Sequence, residues 1–66
     1  MNMTTQKPYD YIVLGTNVRI IIKEQNQSLK VSLEQIVRQL RNPDINPKKR
    51  KMYEGALDAL QRAGQP

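Results

Sequence analysis

Apolar and polar positions alternate along the first half of the chain, then change to a helical period. Tyr9-Asp10-Tyr11-Ile12-Val13-Leu14 is rich in aromatic and β-branched residues and is stopped by Gly15, which predicts a strand. Val18 to Glu24 repeats the pattern more strongly: Val18, Ile20 and Ile22 share one face, and Arg19, Ile21 and Lys23 the other. Gly15, Thr16 and Asn17 supply turn chemistry between the two runs. Gln25-Asn26-Gln27 reads as a second turn, with Asn26 able to take a left-handed conformation. Ser28-Leu29-Lys30-Val31 can then return as a short third strand, with Leu29 and Val31 inward and Lys30 outward. On the first strand the expected arrangement puts Ile12 and Leu14 inward and Tyr9, Tyr11 and Val13 outward.

The period then shifts. Ser32 followed by Gln35 matches a capping box, and Val31 with Ile36 occupies the positions of a hydrophobic staple. Leu33, Ile36, Val37 and Leu40 recur at i, i+3, i+4 and i+7 as one apolar stripe. Asn42-Pro43 ends this helix, because the residue before proline is pushed out of helical geometry. Asp44-Ile45 reads as a connector. Asn46 is a favoured N-cap and Pro47 suits the first helical position, so a second helix is expected to run to Ala63, with Gly64 as its C′ residue. Met52, Ala56, Ala59, Leu60 and Ala63 fall on one side of it. Arg50, Glu54, Asp58 and Arg62 form the opposite row at i, i+4 steps, the spacing of favourable ion pairs. Gly55 lies mid-helix, where it costs up to ~1 kcal/mol against alanine; close approach by the first helix or by a partner would account for it. The expected architecture is α+β: a small antiparallel meander of two to three strands, followed by two helices packed on one sheet face. Met1 to Pro8 reads as a flexible tail, and residues 9 to 64 as a single β-β-(β)-α-α domain.

Composition narrows the chemistry. The chain has 66 residues and no Cys, His, Phe or Trp, so Ile, Val, Leu, Met and Tyr must make the core. Disulfides and the usual zinc ligands are excluded. A chain this short buries only about 60% of the surface it exposes when unfolded, so self-association into a homodimer is an expected source of stability. No apolar run approaches the ~18 residues of a membrane span, and the polar start shows no secretory h-region, so the expected location is the cytoplasm. Without His or Cys, and with no glycine-rich phosphate loop, the sequence offers no catalytic constellation. Glu54 and Asp58 share a helix face, but their arginine neighbours make them a salt-bridge row. The expectation is a non-enzymatic protein without a cofactor.

Charge supplies the positive signal. Lys and Arg total 11 against 6 Asp and Glu, a net +5 that favours polyanions, nucleic acid first. Lys48, Lys49, Arg50 and Lys51 occupy the first turn of the second predicted helix, where the helix dipole opposes each cation by about 0.3–1 kcal/mol. A local rule broken in this way marks a functional candidate. The first backbone N–H groups of a helix are unpaired and outward-facing, an arrangement that binds phosphate. Arg38 and Arg41, near the end of the first helix, are expected to approach the same region. Six such cations, one phosphate each, would give a log K against log salt slope of roughly −5 on duplex DNA. A second, weaker patch combines Tyr9 and Tyr11 with Arg19, Lys23 and Lys30 on the outer sheet face, the mixture of aromatics and cations that holds single strands. The sequence therefore points to a small nucleic-acid-binding accessory or regulator, DNA or RNA. The competing reading is a compact interaction module or inhibitor, of the phage or plasmid kind, that engages a protein partner through its sheet face or edge.

Overall fold

A computed structural model describes residues 8–64; the tail reading for Met1 to Lys7 lies outside the described residues. The architecture is α+β: strands β1 (Tyr9–Leu14), β2 (Asn17–Ile22) and β3 (Gln27–Ser32) precede helices α1 (Leu33–Arg41) and α2 (Pro47–Ala63). The sheet is an antiparallel meander in the order β1-β2-β3. Helix α2 crosses β1 and β2, while α1 packs against β3 and α2. Local chemistry explains each reversal. The β1–β2 connection is Gly15-Thr16, and Gly15 takes φ 66°, a conformation that costs a side-chain-free residue little. Asn26 closes the β2–β3 connection at φ 51°, as expected of an asparagine, after a single 3-10 turn at Lys23–Gln25. The second strand is therefore shorter than its apolar pattern suggests, and the third is longer.

Both helix starts follow the sequence. The Gln35 amide donates to Ser32 Oγ at 3.2 Å while the Ser32 amide donates to Gln35 Oε1 at 2.9 Å, which completes the capping box. Val31 and Ile36, the staple pair, are both buried. Asn46 Oδ1 accepts from the Lys48 amide at 2.8 Å, and Pro47 stands at the first helical position. Gly64 differs from expectation at the other end: it is the cap itself and stays right-handed at φ −83°. Its amide still bonds the Leu60 carbonyl at 3.0 Å, so the helix frays into a turn without a left-handed residue.

Val18, Ile20, Val31, Ile36, Met52 and Ala56 form the core between sheet and helices, joined by Ile45 and Tyr53. Ile45 turns the connector into a plug. An Asx turn, in which the Asp44 amide donates to Asn42 Oδ1 at 3.0 Å, and a bond from the Ile45 amide to the Asn42 carbonyl at 3.2 Å aim it inward. Leu33 and Ala63, both assigned to apolar stripes, lie exposed at the outer ends of their helices.

The first strand is inverted relative to expectation. Tyr9, Tyr11 and Val13 face the helices, and Ile12 and Leu14 lie on the open side at 46% and 42% exposure. Register dictates this: Tyr11 sits opposite Ile20 and Val13 opposite Val18, so they share the core face with those residues. A polar contact and a notch hold the choice. Tyr11 Oη donates to the Met52 carbonyl at 3.0 Å, and its ring lies over Gly55. A Cβ at position 55 would sit 2.6 Å from Tyr11 Cζ, well inside van der Waals contact. The mid-helix glycine thus makes room for β1 of the same chain.

Candidate functional site

Lys48, Lys49 and Arg50 on the first turn of α2, and Lys51 just after it, are all exposed, and that turn holds no acidic residue. Successive helical positions are 100° apart, so four of them encircle the axis. The structure divides the ring accordingly. Lys48, Lys49 and Lys51 line a groove, and Arg50 falls on the far side with Glu54, Asp58 and Arg62. On that far row Arg62 Nε meets Asp58 Oδ2 at 3.0 Å. The two residues are well exposed, so the pair contributes little stability.

The groove has a volume of about 530 Å³ and runs between the start of α2 and the β2–β3 end of the sheet. Its apolar walls are Pro8, Tyr9, Ile22, Leu29, Met52 and Tyr53; Asn46, Glu24 and Gln25 complete the rim beside the lysines. Tyr9 pairs with Ile22 across the β1–β2 ladder, which places that tyrosine at the end of the sheet nearest the basic turn. Sequence reasoning put Tyr9 on the opposite face and missed Tyr53. A tyrosine one helical position after Met52 was a usable signal for the latter.

The expectation of several outward amides at the start of α2 is corrected by the cap. Pro47 has no N–H, Asn46 Oδ1 takes that of Lys48, and the Arg50 amide bonds the Asn46 carbonyl at 2.8 Å. Among the described residues that leaves the Lys49 amide as the first-turn donor without a protein partner. Anion binding here therefore rests on side chains more than on backbone.

Arg38 and Arg41 lie elsewhere. They line a shallow hollow of about 440 Å³ on α1 with Glu34 and Val37, and this hollow shares no residue with the groove. The second patch does not assemble as expected. Tyr9 and Tyr11 are on the helix side, whereas Arg19 pairs with Lys30 on the open sheet face, beside Ile12 and Ile21. Lys23 is engaged by Asp10, Nζ to Oδ1 at 3.2 Å. Burial and then the nearby Tyr9 push the Tyr11 phenol above its ordinary value of 10.0. No helix of the described residues is long and apolar enough to cross a membrane. No family model, curated protein or solved structure matches the chain.

Proposed function

We propose that this protein is a small, non-enzymatic nucleic-acid-binding accessory or regulator of the cytoplasm, contacting the phosphate backbone through the basic first turn of α2. One observation carries the reading. Lys48, Lys49, Arg50 and Lys51 are exposed at a helix end whose dipole disfavours them, and none has an ion-pair partner among the described residues. Each would gain from a polyanion what the folded chain does not supply. Arg38 and Arg41 form a separate basic element on α1.

The test is fluorescence polarisation with labelled DNA and RNA of mixed sequence across a salt series. Micromolar binding is expected, with a slope of log K against log salt near −3 to −4 from the turn alone. Changing Lys48, Lys49, Arg50 and Lys51 together to Gln should remove that slope while the protein stays folded. Binding of the variant at wild-type strength would end the proposal.

The open sheet face favours a second reading. Ile12 and Leu14 stand exposed there beside Arg19 and Lys30, a mixed apolar and cationic surface suited to a protein partner or a second copy. Salt-resistant association in sedimentation, abolished by Ile12→Lys, would select this reading over the first.

A further inference from the structure

We propose that the groove beside the basic turn is a subsite for one unpaired nucleotide of a single strand, with the base against Tyr9 and the flanking phosphates on Lys48, Lys49 and Lys51. This rests on the nucleic-acid reading and specifies its ligand. The basic turn by itself would serve any polyanion equally. The groove adds what a phosphate alone does not need: an apolar floor of Tyr9, Ile22, Leu29 and Met52 directly beside three cations. At about 530 Å³ it lies within the roughly 300–1,000 Å³ range of small-ligand sites and accommodates a nucleotide. Bases stacked inside a duplex cannot enter such a recess, whereas a splayed base in a single strand can, and stacking on an aromatic ring tolerates any base. Tyr9 is half-buried against the core and lines the groove.

Charge selects the occupant. Lys48, Lys49 and Lys51 outnumber the single carboxylate of the rim, Glu24, which favours an anion with an apolar part. The chain's own residues 1–7 carry Lys7 and no carboxylate, so they are poorly matched to a lysine wall. A second copy, itself cationic at +5, is poorly matched for the same reason.

The experiment uses the full chain and three labelled probes of equal length: a single-stranded oligonucleotide, the same strand with abasic sites throughout, and the corresponding duplex. Polarisation is read at fixed salt and again across a salt series. The intact single strand is expected to bind about 10-fold or more tightly than the abasic strand, with both keeping a similar salt slope. Tyr9→Leu should bring the intact strand down to the abasic level; circular dichroism checks that the variant is folded, and the abasic comparison decides the matter if it is not. Equal affinity for intact and abasic strands, or preference for the duplex, would overturn the subsite while leaving phosphate binding by the basic turn in place. The groove would then be left to a second copy or to residues 1–7. Absence of salt-sensitive binding to all three probes would overturn the subsite and the nucleic-acid reading together.

Discussion

The two helices begin in opposite ways. Helix α1 opens with a reciprocal capping box, Glu34 in its first turn and a buried staple, each of which stabilises a helix start. Helix α2 has a good cap and a proline at its first position, but four cations and no acid in the turn that follows. Cap and proline fix where the helix begins, and the cations oppose it. The difference teaches where the stability of each helix originates. At nine residues α1 is short and relies on its start and on docking. At 17 residues α2 is anchored by Met52, Tyr53 and Ala56 in the core and by the Tyr11 contact, so its first turn is free to carry charge. The uncompensated end is the candidate site, and the compensated one is structural.

Four variants put pressure on this contrast. Gly55→Ala should have the largest effect on stability. On an isolated helix it would help by up to ~1 kcal/mol. Here the new methyl meets the Tyr11 ring, and a net loss of about 1–3 kcal/mol is expected, seen as a fall in Tm of roughly 7–20 °C. A Tm at or above wild type would mean that α2 is not anchored through β1.

The next effect compares the helix starts directly. Ser32→Ala should lower stability by about 1 kcal/mol at any salt concentration, because it removes a hydrogen-bonded cap. Replacing Lys48 to Lys51 with Gln should raise stability by about 1 kcal/mol in low salt, with the gain fading as salt screens the dipole. Denaturant melts at two ionic strengths separate the two. A destabilised Gln variant would show that the cations support the fold and would dissolve the contrast.

The last comparison adds a signature at alkaline pH. The Tyr11 phenol is raised in the folded protein, so between its unfolded and folded values the native state holds a proton that the unfolded chain has lost. Its contribution is complete below pH 10.0, the unperturbed value, and is lost as pH rises through the folded value. Tyr11→Phe should cost about 1 kcal/mol at neutral pH through the lost bond to Met52 and should flatten part of the decline above pH 10. Parallel pH profiles for the two proteins would show that Tyr11 is not the group responsible.

Much of this fold is written locally. The cap at Ser32, the cap and proline at Asn46-Pro47, the left-handed Asn26 and the alternation of Val18, Ile20 and Ile22 each follow from a few neighbouring residues, and each appears where its chemistry requires. The basic turn was equally legible, since four consecutive cations after a helix cap need no tertiary information to be noticed. What was misread is which side of β1 faces inward. Tyr9, Tyr11 and Val13 share one face and Asp10, Ile12 and Leu14 the other; both are apolar enough to be buried, and the charge of Asp10 was the one local sign that its face is the open side. The pairing of Tyr11 with Ile20 and the gap left by Gly55 on a helix more than 40 positions away settle the matter. That single choice dissolves the expected tyrosine–arginine platform and moves Tyr9 to the groove beside the lysines. Short-range chemistry determined the elements and their ends, because caps and turns are satisfied within a few residues. The tertiary structure decided which face is buried and which charges stand together, because those depend on contacts between segments that the chain order keeps far apart.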